Sequence, residues 1–495
     1  MEKKIFPLIL LTGILLFTGC EDFLQKSPQG ELTQEAFPTS AADALLATNG
    51  VYSTLRTWYY HSGGFPILDI VSDDSHKGSN PNDQLNTIGP YDYFQHTPTQ
   101  DGLDRWWSTL YEGIKRANVV IERVPGIVMK EELKNRLLGE ARFLRALYYF
   151  DLVRAWGGVP LVTTTTPPLK LERDDASSVY ELIIQDLEFA IDNLPLKSEY
   201  PSDESGRATR GAAQALLAKV SLFTHDYATA ESMSLEVILT RQYGLESRFA
   251  DANGRNGEHG IESVFEIGAM EVEGGANAGN QYANTQGVRG TPNRGWGFNR
   301  PSEDLRGAFE PNDPRLDATI IDLGEELDGV KILGDGTTPD VITDEDGNII
   351  ERECYNQKVW IPGVNTITQW GHNRRILRYS DVLLMAAEAL NENNKPGDAL
   401  IYLNQVRARA REGNVALLPD ITETGKEALR ILIIQERRVE LALEGHRFWD
   451  LVRTGMAAQI LGPLGFIAGQ HELLPIPQTE IDISQGTMQQ NPNYK

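Results

Sequence analysis

Apolar residues recur at three- and four-residue spacing through much of the chain, the period of helices that bury one face. Residues 103–124 and 131–156 both carry this period, and the second run stops at Gly157-Gly158, a helix-ending pair. A helix pair is predicted over 207–223 and 227–240, broken at His225-Asp226. Another is predicted over 378–392 and 396–411. Val382, Leu383, Ala386, Ala387 and Leu390 form the face of its first helix, and Ala399, Leu400, Leu403 and Val406 that of its second. Residues 427–444 and 446–459 read as a further helical stretch. Paired helices of about 15 residues, with small residues at the crossing and a tight turn, are the tetratricopeptide-type unit of roughly 34 residues. Such pairs stack, each burying what its neighbour leaves exposed. The fold class predicted is mostly α: tetratricopeptide-type helical pairs with long loop-rich insertions and a few short strands.

Two segments break the period. Residues 253–300 hold 11 glycines in 48 residues, and each would weaken a helix by about 1 kcal/mol. Residues 61–100 have the same character. A helical scaffold is therefore predicted at about 41–60, 101–241 and 378–460, with loop-rich excursions at 61–100 and 242–377. Because the excursions return to the scaffold, residues 41–495 read as one domain. Loops carried on a rigid scaffold are where binding usually resides. Within the second excursion, Asp344-Glu345-Asp346-Gly347-Asn348 resembles a calcium loop, but Ile342 would fill its first ligand position. Flanked by Val341-Ile342 and Ile349-Ile350, the segment reads as a hairpin with an Asp-Gly turn.

The beginning of the chain changes the picture of where the protein sits. Lys3 and Lys4, an apolar run over 5–17 and Thr18-Gly19-Cys20 have the layout of a signal peptide. The apolar run falls short of the roughly 20 residues that span a bilayer. Residues 1–19 are expected to be removed and Cys20 to be lipidated, the bacterial lipobox logic, although Phe17 stands where a smaller aliphatic residue is usual. Residues 20–40, polar and containing Pro28, Gly30 and Pro38, would tether the body to the membrane. Several lipid chains anchor firmly, at about 0.8 kcal/mol per buried methylene. The other cysteine, Cys354, has no partner for an intramolecular disulfide and no neighbouring His, and reads as a bystander.

A net charge of −24 repels phosphate backbones, which argues against nucleic acid and disfavours strongly anionic polysaccharides. G-x-S-x-G, G-x-x-x-x-G-K-[ST], H-E-x-x-H and C-x-x-C are all missing from the sequence. Among 70 acidic residues nothing marks a pair placed for glycoside hydrolysis. No catalytic residue, metal site or cofactor is predicted.

Flat rings pack on the C–H faces of sugars, so the positions of the eight tryptophans are informative. Trp106, Trp107, Trp156 and Trp449 fall on helical periods and read as core. Trp58, Trp296, Trp360 and Trp370 lie at helix ends or in the excursions. Trp58 stands beside Tyr59 and Tyr60 where the first helix gives way to a Gly-rich loop. Trp296 is flanked by Gly295 and Gly297, a setting expected to expose the ring. Trp58, Trp296 and Trp360 are the aromatic candidates, each with the alternative of a ring tucked onto the scaffold. Tyr282, Asn284 and Arg289 from the Gly-rich stretch, and Arg374 and Arg375 before the RYSDVLL helix, are polar candidates.

Five segments, in order, resemble the SusD/RagB family of outer-membrane nutrient-binding lipoproteins: CEDFLQKSPQGELTQEAF (20–37), GEARFLRALYYFDLVRAWGGVPLVTTT (139–165), RYSDVLLMAAEAL (378–390), ERRVELALEGHRFWDLVR (436–453), and LLPIPQTEI (473–481) with QNPNY (490–494). The resemblance implies that the helical repeats form the scaffold and the excursions the ligand face. It implies a non-catalytic protein on the outer membrane, facing the exterior. Such a protein captures oligosaccharide or polysaccharide and delivers it to a TonB-dependent, SusC-like barrel. It also draws attention to Ser72-Asp73-Asp74-Ser75-His76-Lys77-Gly78, since the family tends to place ligand contacts near there. Asp73, Asp74 and Lys77 join the polar candidates, with turn capping as the alternative. Two other functions stay open on the residues alone: a tetratricopeptide-type scaffold for a peptide or glycoprotein ligand, and a surface glycoside hydrolase.

Overall fold

The computed structural model describes residues 37–168, 170–270, 280–363 and 371–494. The expected signal peptide, Cys20, residues 21–36 of the tether and Trp370 lie outside the described residues. Helix α1 (Ala41–Leu55) starts at Ser40, whose hydroxyl accepts from the Asp43 amide at 3.1 Å while the Asp43 carboxylate returns the bond. Helices α2 (Leu103–Arg123) and α3 (Glu131–Trp156) follow the predicted spans. Gly157 ends α3 at φ +74°, a conformation that side-chain-bearing residues rarely adopt. Next come α4 (Ala176–Asn193), α5 (Arg210–Phe223) and α6 (Tyr227–Leu239). The α5–α6 turn has His225 at φ +58°, and the Asp226 carboxylate caps α6 through the Thr229 amide at 3.1 Å. After the second excursion come α7 (Tyr379–Glu392), α8 (Pro396–Ala410), α9 (Lys426–Glu440) and α10 (Arg447–Arg453).

The helices stack in chain order, α1 on α2, α2 on α3, and on through α4, α5 and α6 to α7 with α8 and α9. One apolar core runs through the stack, from Ala44 to Met488. Trp106, Trp107, Trp156 and Trp449 are all within it, as expected. Burying a large side chain of this kind contributes about 1.5–3 kcal/mol. No described helix is long and apolar enough to cross a membrane.

The excursions hold short antiparallel pairs. β1 (Ser75–Gly78) pairs with β3 (Phe298–Pro301), which joins the first excursion to the second. β2 (Ser263–Ile267) pairs with β10 (Arg374–Arg378) at the entry to α7. β4 (Ile320–Asp322) pairs with β9 (Cys354–Asn356), and β5 (Glu326–Leu327) with β6 (Val330–Lys331). β7 (Val341–Thr343) and β8 (Ile349–Arg352) form the hairpin predicted in place of a calcium loop. Gly347 turns it at φ +85°, and the Asp344 carboxylate accepts from the Asp346 and Asn348 amides. Cys354 is buried with its thiol pushed up to about 12 by burial, in keeping with a bystander.

Buried ion pairs join the second excursion to the scaffold. Arg378 reaches Glu262 at 2.6 Å, Glu440 at 3.1 Å and Glu444 at 2.8 Å. Lys358 reaches Glu444 at 2.7 Å, and Arg315 reaches Asp313 at 2.8 Å and Glu436 at 2.6 Å. Most of the charges in residues 436–444 are thereby used internally. An uncompensated charge at such depth is strongly unfavourable, so each partner holds the other in place.

Candidate functional site

Trp58 and Trp296, read separately from the sequence, meet in space. Their ring centroids are 5.9 Å apart with planes at 75°, an edge-to-face contact. Trp58 follows α1 in a single helical turn, and its indole N–H donates to the Gly64 carbonyl. Gly64 sits at φ +105°, and a Cβ there would lie 2.9 Å from the Trp58 ring, so glycine lets the ring lie flat against the loop. Trp296 is held from the other excursion: its amide donates to the Asn284 carbonyl at 2.9 Å. Tyr59 stacks beside Trp58 at 5.3 Å, and Phe65 packs against Trp58 at 5.7 Å and Trp296 at 6.5 Å. Arg105, from the first turns of α2, lies 4.8 Å from the Tyr59 ring centroid and donates to the Tyr59 hydroxyl at 2.9 Å. The result is a half-buried aromatic surface with a hydroxyl, a guanidinium and the paired Asp101 carboxylate along one side. Ring faces offer apolar area to the C–H face of a pyranose, and the polar margin offers donors and acceptors for its hydroxyls. Phe65 and Arg105 escaped the sequence reading. Gly63-Gly64 before Phe65 was the available signal, whereas Arg105 sits on an ordinary helical face.

Gly295 and Gly297 serve the backbone more than exposure of the Trp296 ring. A Cβ at Gly295 would meet the backbone of Gly287 at 2.4 Å, and Gly297 adopts φ +75°.

Most polar candidates face inward and are engaged within the protein. Asp73 is 6% exposed and accepts two bonds from Arg447 at 2.8 Å, with Arg438 at 2.9 Å. Asp74 is fully buried and paired with Arg438 at 2.7 Å. Lys77 donates to the carbonyls of Gly78, Asn80 and Asp83 at 2.7–3.0 Å, and burial lowers its ammonium to about 8. Tyr282 and Asn284 are buried beneath the Trp296 segment, with Arg374 stacked 4.8 Å from the Tyr282 ring centroid. Arg374 also donates to His61 Nδ1 at 2.9 Å, which fits a neutral imidazole whose proton affinity is lowered by burial and by that guanidinium. Arg375 is buried and donates to the Asn373 and Gly254 carbonyls. Arg289 pairs with Asp83 at 2.9 Å and Asp335 at 3.2 Å. These groups shape and stiffen the excursions. Trp360 lies apart from the Trp58–Trp296 pair, with the Arg294 guanidinium 4.2 Å from its ring centroid. Among the described residues, no group of His, Cys, Asp and Glu is arranged to hold a metal ion.

Comparison with known proteins places this arrangement in context. Residues 261–465 match the family described as the SusD family, and residues 22–222 match the one described as "Starch-binding associating with outer membrane". Both descriptions fit the non-catalytic role expected from the sequence. A SusD-like protein of Formosa agariphila is 27% identical, covering 96% of each chain. A solved "Laminarin binding SusD-like protein" is 31% identical with a TM-score of 0.78, covering 92% of this chain and 100% of that one. Surface glycan-binding protein A from Bacteroides thetaiotaomicron, solved with laminarihexaose, is 27% identical with a TM-score of 0.76, covering 92% of this chain and 100% of that one.

Proposed function

Because the chain belongs to the SusD family, we propose that it binds oligosaccharide without cleaving it and hands it to a TonB-dependent, SusC-like barrel. The observation that carries this reading is the Trp58–Trp296 contact. Two rings, one just past the end of α1 and one in the second excursion, form one surface without waiting for a ligand, and pre-organisation of that kind favours capture. The acidity of the protein disfavours polyanions, so a neutral glucan fits best. Two solved relatives point the same way, one described as laminarin-binding and one bound to laminarihexaose. A laminarin-type glucan is accordingly the first ligand to try. Lipidation at Cys20 would keep the protein on the outer membrane, facing the exterior, and would raise the ligand concentration at the barrel mouth.

Native gels cast with laminarin, starch and a panel of other plant, fungal and host polysaccharides test this directly. Retardation by a neutral glucan, lost in Trp296→Ala and without release of products, is the expected result. Retardation that persists in Trp296→Ala would remove the aromatic surface as the binding face, and release of shortened sugars would make the protein a hydrolase.

A further inference from the structure

A concave surface lies in the same excursion as Trp296. It is a cleft of about 430 Å³ formed by residues from 248 to 256 and from 357 to 362. That size falls within the roughly 300–1,000 Å³ of small-ligand clefts. Trp360 and Pro362 supply apolar surface, and Arg248, Asp251, Asn256 and Gln357 supply hydrogen-bonding groups. Its walls are held from beneath. Asn253 donates to Glu444 at 3.2 Å, Lys358 reaches the same carboxylate at 2.7 Å, and the Gly254 carbonyl accepts from Arg375 at 2.6 Å. The cleft is therefore shaped by buried bonds to Glu444, just past the end of α9, and to β10. Arg294, packed on Trp360, precedes Trp296 by two positions, so one segment links the two aromatic sites.

The other main hollows lack a half-exposed tryptophan. The groove of about 570 Å³ along α2 sets Tyr111, Val162 and Met488 beside Glu112, Lys115 and Glu480, and its one tryptophan, Trp107, is only 2% exposed. Nothing in the structure shows what would cover it. The hollow among Arg154, Lys219 and Glu444 measures about 50 Å³, room for a few waters only.

We propose that the Trp360 cleft is a second saccharide-binding site, holding another hexose unit of the polymer that the Trp58–Trp296 surface engages. This rests on the glycan reading above. An indole beside amide, carboxylate and guanidinium groups matches a sugar ring with one apolar face and a hydroxyl rim. Two sites on one rigid body make the second contact intramolecular. A polymer would then bind more tightly than a short oligosaccharide, which can occupy only one site at a time.

Calorimetric titration of the full mature protein with laminarin and with laminaritriose distinguishes the two sites. In Trp360→Ala, laminarin affinity is expected to fall about tenfold or more, with loss of avidity, while laminaritriose binding at the Trp58–Trp296 surface persists. A paired Asn256→Ala, Gln357→Ala variant, altered away from the aromatic core, is expected to behave the same way. Unchanged laminarin affinity in both variants, with laminaritriose binding still abolished by Trp296→Ala, would overturn the second site and leave the first intact. Trp296→Ala with no effect on either ligand would overturn the first site and, with it, the second. If another polysaccharide is the one that retards the protein, that polymer and its trisaccharide serve as the pair. Failure of every polysaccharide to bind defeats both sites.

Discussion

At the scale of single residues, Trp58 and Gly64 form one unit. The ring lies where a side chain at position 64 would have to go, and the loop turns through a positive φ to receive it. Gly64→Ala is therefore expected to displace the ring and weaken glycan binding about tenfold, in the range of a lost aromatic anchor, which titration against wild type will show. Asp73 makes the opposite case. Its removal strands Arg447 in a buried setting and leaves Arg438 with Asp74 alone, so Asp73→Ala is expected to destabilise the protein by about 3–5 kcal/mol in urea unfolding while folded protein binds glycan normally. The sequence revealed which tryptophans to suspect, because Trp58 and Trp296 sit beside loop-forming glycines. It did not reveal that they touch, since local spacing carries no information on pairing between excursions. The burial of Asp73 and Asp74 is likewise invisible locally, because their partners Arg438 and Arg447 come from far along the chain. Lys77 instead directs its donors to the nearby Gly78, Asn80 and Asp83 carbonyls.

At the scale of elements, the 3.6-residue period located the helix pairs closely, because stacked helices must bury a stripe and the stripe is written in the sequence. The helix at Ala176–Asn193 was not singled out, although Val179, Ile183, Leu187 and Ala190 keep the same period. The stretch expected to be helical over 427–444 ends instead at Glu440. Leu443 at φ +60° and Gly445 at φ +81° turn the chain, and Glu444 swings in to meet Arg378 and Lys358. Burial alone would raise the Glu444 carboxyl, but Arg378 and Lys358 outweigh it and hold the group down to about 2, against an ordinary value near 4.5. A carboxylate lowered in the folded state stabilises the fold above its unfolded value and loses that contribution as pH falls through the folded one. The melting temperature should therefore drop steeply between about pH 4.5 and pH 2, and more gently in Glu444→Gln, which already lacks this titration. Parallel curves for the two proteins, recorded by circular dichroism, would contradict the assignment.

At the scale of the whole molecule, the excursions are fastened to the scaffold by ion pairs and to each other by the β1–β3 pairing. The scaffold fixes the attitude of both excursions, and the aromatic surface arises where they converge. Stacking on a neutral sugar involves little charge. Affinity is expected to change by less than about twofold between low and high salt, because screening acts on charge–charge attraction. A steep salt dependence in the same titration would point to an ionic ligand instead. The central claim is that Trp58 and Trp296 act as one binding surface, and a double-mutant cycle read by calorimetric titration with laminarihexaose tests it most directly. Trp58→Ala and Trp296→Ala are each predicted to weaken binding about tenfold or more, and the double variant to be little worse than either, because losing one ring removes the support of the other. Fully additive losses, or a silent single variant, would contradict a shared surface.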